Sequence, residues 1–436
     1  MPVYTNAKTP RVVTGGKQTR FIGLIVGIIL LLSLPLLLTC SNGDSTATDN
    51  DSNPPETNGE VTITIGNLTD QTGVAAEAMY YVGLALNDIA EYYNQNNLIP
   101  GVKLKVIDYD EQYDASKDIP GYLKLKQDGA DLIWTPVPQA VPVLKPYADR
   151  DKYVVFTASA NMEESELNGG YVFSLGITPE NEGYSFLSWL AENDEDFPID
   201  RPARIGAAAW DDGYSNLLYG AAEEYARAHP EQFEWDQTFL TNFNFDWTTQ
   251  AEELKDCDYV FIPTPPQIFM EDFRSAGGTA KFIGTDLPLA FLRFFDKADL
   301  WEQADGSLFI RSSRWYNETG EMIDVTNQLL EEKYFAEKAE DILSQGCTYI
   351  GTKHAYLMLD IVRQAVEEAG AENFDSAALY DAAISWSYEY ENIPDFASFD
   401  EEKRISQNYY AIYEARASGK DIYRVHDEWL PFVDSP

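Results

Sequence analysis

From residue 61 onward the chain alternates between two hydrophobic rhythms. Val61-Thr62-Ile63-Thr64-Ile65 is β-branched and stops at Gly66-Asn67, which predicts a strand running into a loop. Met79, Val82, Leu86, Ile89 and Tyr93 then recur at three- and four-residue spacing, which predicts a helix over 75–93. Further strands are predicted at 103–107, 131–134, 154–158 and 172–175, with helices at 115–127, interrupted near Pro120-Gly121, and at 137–147. After Gly183 the rhythm restarts with a helix at 184–192, a strand at 204–209 and a helix at 215–228. Strands follow around Phe239, at 259–262 and at 281–283. A long amphipathic helix at 354–369 and a strand-like stretch at 408–415 come last. Strands alternating with helices of ten or more residues mean βαβ units and parallel sheets, and two such runs in succession predict an α/β protein with two lobes.

The first forty residues have a different pattern. Lys8, Arg11, Lys17 and Arg20 supply positive charge with no acidic residue before Cys40, and 21–38 is apolar apart from Gly23, Gly27, Ser33 and Pro35. A charged start followed by an apolar core reads as a secretory signal over 1–40. Leu37-Leu38-Thr39-Cys40 sits where such a signal is cut and resembles the lipobox of bacterial lipoproteins, in which the cysteine thiol receives the lipid. Thr39 departs from the usual Gly, Ala or Ser. The alternative is an uncleaved anchor helix, since about 18 apolar residues can just span a bilayer. Both readings place the remainder outside the cytoplasmic membrane and anchor it there. Residues 41–60, rich in Asp, Asn, Ser, Thr, Gly and Pro, predict a flexible tether.

Composition narrows the function classes. The 436 residues carry 44% hydrophobic residues, enough for a folded protein with a sizeable core, and a net charge of −41. Without the four leader positives, the 31 basic residues fall to 27 against 72 acidic ones, or −45. Such a charge argues against nucleic acid and anionic membrane surfaces. Of the three cysteines, only Cys257 and Cys347 are left to pair if Cys40 is lipidated.

The sequence offers little for catalysis. His229, His354 and His426 form no metal pair of the HExxH kind, and Gly213-Tyr214-Ser215-Asn216-Leu217 lacks the second glycine of a nucleophile elbow. Neither a phosphate loop nor a dinucleotide fingerprint occurs. Asp108, Asp110, Glu111 and Asp114 resemble a calcium loop with its glycine and final glutamate misplaced. In open parallel sheets, however, ligands bind at the carboxyl ends of the strands. The loops there are rich in hydroxyls, amides and aromatics: 68–73 with Thr69, 135–139 with Thr135 and Gln139, 157–161 with Thr157 and Ser159, 210–214 with Trp210 and Tyr214, 263–266 with Pro265, and 284–286 with Asp286. Hydroxyls and helix-start amides suit a carboxylate, and an isolated carboxylate suits an ammonium.

The order of these elements resembles the periplasmic substrate-binding proteins of ABC importers, in the branch that includes the leucine/isoleucine/valine-binding proteins. Ile65-Gly66-Asn67-Leu68-Thr69, Gly83-Leu84-Ala85-Leu86-Asn87-Asp88-Ile89, the strand 101–110, Ile133-Trp134-Thr135-Pro136, Asp212-Gly213-Tyr214-Ser215 and Phe282-Ile283-Gly284-Thr285-Asp286 carry the resemblance. It implies the type I periplasmic binding protein fold: two Rossmann-like lobes, hinged and crossed three times by the chain. Lobe 1 is then 61–180 with 306–398, and lobe 2 is 181–305 with 399–436. It also implies that Thr157 and Ser159 hold a ligand carboxylate, Asp286 its amino group, and that Tyr214 packs over it with Pro265 or a neighbour along the wall. Gln139 stands where the family often has a serine, after Pro138, and the family's first-lobe disulfide has no counterpart. The implied function is capture of a small solute, an amino acid or related amphiphile, for delivery to an importer permease, by a monomer without cofactor, metal or catalysis. A ligand-sensing subunit of a signalling receptor and an exported hydrolase are the rival readings.

Overall fold

The computed structural model describes residues 60–242 and 244–436. The leader, Cys40 and the tether up to residue 59 lie outside the described residues.

Nine strands belong to two parallel runs. The first run is β1 (Val61–Thr69), β2 (Val102–Asp110), β3 (Leu132–Thr135), β4 (Val155–Thr157) and β5 (Val172–Ser174), in the order β2-β1-β3-β4-β5. From Ile63 to Thr69 every residue of β1 is buried, as expected of a strand with helices on both faces. The second run is β6 (Ala203–Trp210), β7 (Phe233–Thr241), β8 (Tyr259–Phe261) and β9 (Lys281–Gly284). β10 (Leu308–Arg311) extends this sheet in parallel beside β9. A short hairpin, β11 (Ser387–Tyr390) with β12 (Ile393–Ser398), stands apart. β13 (Tyr409–Arg416) and β14 (Asp421–Arg424) then add antiparallel strands, for an order of β14-β13-β10-β9-β8-β6-β7.

The elements start where local chemistry lets them. Asp212 caps the helix Gly213–Ala228 by accepting from Ser215 N at 2.9 Å. Thr178 caps Pro179–Asn193, with Pro179 in the first turn, where its missing N–H costs nothing. The expected break at Pro120-Gly121 does not occur. The helix Asp118–Gln127 is continuous, because Pro120 is its third residue and lies among the N–H groups that have no intrahelical partner.

The chain crosses between the lobes three times: after β5, after β10 and before β13. Because β10 pairs with β9 and β13, residues 308–311 belong to the second lobe, and the second crossing starts at Ser312. The amphipathic spacing at 354–369 is realised as Thr352–Ala369, which packs on Ala76–Gln95 and belongs to the first lobe. Cys257 and Cys347 are both unpaired. The acidic residues that resemble a calcium loop accept from backbone instead: Asp110 from Gln71 N at 2.8 Å in the neighbouring loop, and Glu111 from Tyr113 N at 3.0 Å within its own turn. Among the described residues no cluster of three metal-ligating side chains occurs, and no helix is long and apolar enough to cross a membrane.

Candidate functional site

A cavity of about 290 Å³ opens between the carboxyl ends of the two sheets. Its volume far exceeds the roughly 10–15 Å³ that one water needs. The body of the wall is apolar: Val74, Met79, Val82 and Ile177 on one side, Leu218 and Phe291 on the other. Polar groups gather at separate places. Ser159 and Asn161 come from the loop after β4, Thr285 and Asp286 from the loop after β9, and Ser312 from the second crossing.

Ser159, Trp210, Tyr214 and Asp286, expected from sequence to face a ligand, all line this cavity. Thr69, Thr135, Gln139, Thr157 and Pro265 are not part of its wall. Thr135 and Thr157 are fully buried and turn their hydroxyls to local backbone: Thr135 accepts from Val137 N at 3.2 Å, and Thr157 donates to Ser159 O at 2.5 Å. They shape the loops instead of meeting the cavity. Gln139 precedes the helix Ala140–Asp151, and Thr69 is buried at the end of β1. Thr264 lines the cavity where Pro265, joined to it by a cis peptide, does not.

The electrostatics of the wall were not legible in the sequence. Asp286 Oδ1 lies 2.5 Å from Arg311 Nη1 at the end of β10. That oxygen is buried, while the rest of the side chain opens to the cavity. Burial raises the Asp286 pKa, and Arg311 and Lys353 draw it back down. On the second lobe, Tyr214 donates to Glu182 and its hydroxyl lies 3.2 Å from Thr285 Oγ1. Glu182 is fully desolvated, which holds its pKa well above the usual carboxylate range against the Tyr214 hydrogen bond. On the first lobe, burial pushes His354 down to about 3, with Lys353 and Arg311 adding to the fall, so its imidazole is neutral at physiological pH. Ser312-Ser313 did carry a signal, since two hydroxyls follow the apolar Leu308-Phe309-Ile310 and Arg311, as hydroxyls do in the other cavity loops.

The lobes also meet directly around the cavity. Arg293 pairs with Glu77 across its rim. Cys347 Sγ donates to Asp286 O at 3.1 Å. Gly346, at φ +63, packs against Leu289 O so closely that a Cβ would lie 1.8 Å away.

The model of the family described as periplasmic binding protein matches residues 62–420. No curated protein matches the chain. Among solved structures, it resembles a branched-chain amino acid ABC transporter protein from Thermus thermophilus with bound valine, at TM-score 0.72 and 16% identity, covering 86% of this chain and 97% of that one. It also resembles a fatty acid ABC transporter substrate-binding protein from Thermomonospora curvata, at TM-score 0.67 and 17% identity over 86% and 93%. A third is a solute binding protein from Rhodopseudomonas palustris HaA2 in complex with p-hydroxybenzoic acid, at TM-score 0.68 and 13% identity over 86% and 98%. At such identities the likeness is one of fold.

Proposed function

Since the chain belongs to the periplasmic binding protein family, we propose that it is an extracytoplasmic receptor that closes two lobes over one small amphiphilic solute and hands it to the permease of an ABC importer. The observation that carries this reading is the cavity itself, apolar along its walls and polar at separated points, with both lobes contributing. Binding of this kind needs no chemistry. A ligand that touches both lobes favours the closed arrangement by as much as it binds that arrangement better than the open one.

The polar groups indicate how such a solute would lie. Ser159 lines the cavity and its buried Oγ has no partner among the described residues, so a turn of this side chain would present it to a carboxylate. The open face of Asp286 offers an acceptor to an amino or hydroxyl group at the other end. Val74, Met79, Val82 and Phe291 suit an aliphatic or aromatic body. The bound valine and p-hydroxybenzoic acid of the similar structures have this amphiphilic character. An amino acid or a related amphiphile is therefore the proposed ligand class, and lipid on Cys40 the proposed anchor.

The identifying experiment is mass spectrometry of small molecules released when the purified protein is denatured. One amphiphile at near one equivalent supports the reading. A wild-type protein that releases none and binds none of the hydrophobic amino acids or aromatic acids counts against it.

A further inference from the structure

The three crossings between the lobes are not equivalent. Those after β5 and before β13 form a ribbon. Ser174 N donates to Arg404 O at 2.8 Å and Ser406 N to Ser174 O at 2.9 Å. Ser406 Oγ and Gln407 Nε2 each donate to Leu175 O at 3.0 Å. The crossing after β10, at Ser312, stands outside this ribbon. Beside the pairing of β10 with β13, which sets Arg311 opposite Ala411, and Tyr413, whose hydroxyl donates to Ser313 O at 3.2 Å, the side chain that reaches from it to the ribbon is Lys353, at the start of the first-lobe helix Thr352–Ala369. Lys353 Nζ donates to Ser312 O at 2.5 Å, lies 3.2 Å from Ser312 Oγ, and donates to Gln407 Oε1 at 2.7 Å.

We propose that Lys353 is the hub of the hinge, its amino group locking the crossing at Ser312 to the ribbon at Gln407 so that all three crossings bend as one. The partners are oxygens on two crossings, so one donor ties Ser312 directly to Gln407, beyond the reach of the β10–β13 ladder that ends at Arg311 and Ala411. Lys353 is 3% exposed, so the contact is made away from competing water. Ser312 also lines the cavity, which connects the hub to whatever the cleft binds. The proposal does not depend on the identity of the solute.

A buried ammonium carries a pH signature. Burial draws Lys353 down to about 7 from 10.5; Asp286, after β9, opposes the fall and Arg311, on β10, adds to it. His354, the next residue on the same helix, is held neutral and adds no charge. With the folded pKa below the unfolded one, the unfolded chain binds more protons between the two. The group's cost is therefore full below pH 7 and is relieved as pH rises from about 7 toward 10.5.

Backbone amide exchange on the full chain tests the hub. In Lys353→Met, exchange at 311–313 and 405–408 should rise at least tenfold, with β1 and β6 unchanged. The stability of wild type relative to this variant should rise between pH 7 and 9, which mere loss of packing would not produce. Gln407→Met is the second variant, because Gln407 shares no hydrogen bond with Ser312 among the described residues. Faster exchange at 311–313 in Gln407→Met would show that the two crossings are coupled through Lys353. Wild-type exchange at 311–313 in Gln407→Met, or a pH-independent stability difference for Lys353→Met, would overturn the proposal.

Discussion

Asp286 and Arg311 face each other at the ends of neighbouring parallel strands, Oδ1 to Nη1 at 2.5 Å, with the guanidinium wholly buried. Arg311 lies over the ring of Trp315 at 4.6 Å and near that of Tyr413 at 5.5 Å, which leaves it little freedom to turn away. The contact is a charge contact without aligned hydrogen-bond geometry. One face of the Asp286 carboxylate is therefore fixed by the protein and the other is offered to the cavity.

Removing one member of this pair leaves the other buried without a counter-charge. Arg311→Met should destabilise the protein by about 3–5 kcal/mol, the usual cost of breaking a buried pair. Arg311→Met with Asp286→Asn should recover most of the loss, since an apolar or neutral replacement of both partners is often tolerated. Denaturant unfolding of the two variants measures the difference.

Tyr214 and Glu182 form a second buried contact, and burial holds the Glu182 pKa well above the usual carboxylate range, which favours its neutral form. Glu182→Gln should then change stability by less than about 1 kcal/mol between pH 6 and 8. Tyr214→Phe removes the hydrogen bond to a buried acceptor and should cost about 1–3 kcal/mol. Thermal unfolding of both variants at pH 7 makes the comparison.

Asp118 is fully buried, neither carboxylate oxygen has a partner among the described residues, and burial raises its pKa to about 6, with Asp114 adding to it. An acid whose folded pKa is raised stabilises the fold below its unfolded pKa, and that contribution is lost as pH rises through about 6. Asp118→Asn should therefore stabilise the protein at pH 7.5 by about 1–2 kcal/mol, and the gain should disappear near pH 4. Unfolding free energies at the two pH values check both parts.

The two α/β runs were legible because parallel strands buried on both faces announce themselves as apolar, β-branched segments between helices. Leu308–Arg311 was missed as a strand because it follows three helices of only four or five residues, whose sequence gives no clear period. Its placement moves 308–311 to the second lobe. At the cleft, loop chemistry pointed to Ser159, Trp210, Tyr214 and Asp286, which line the cavity. Thr135 and Thr157 share that chemistry but turn inward, and side-chain direction at a strand end is not written in composition. Arg311 and Lys353 were out of reach for a related reason. Arg311 meets Asp286 only through the pairing of β10 with β9, and Lys353 meets Ser312 and Gln407 only after the chain has crossed between the lobes, contacts that sequence distance hides.

The most direct test of the account is whether the cavity between the lobes binds a solute. Ala158 lines it, and Ala158→Trp would fill it with an indole while leaving Asp286, Arg311 and Lys353 in place. Melting of wild type and variant should be followed against a panel of hydrophobic amino acids, aromatic carboxylic acids and fatty acids. A solute at 100 times its Kd stabilises the folded state by about 2.7 kcal/mol. The account predicts that at least one class raises the wild-type Tm by several degrees and leaves Ala158→Trp unmoved. Equal shifts in both proteins, or no shift from any member of the panel, would contradict it.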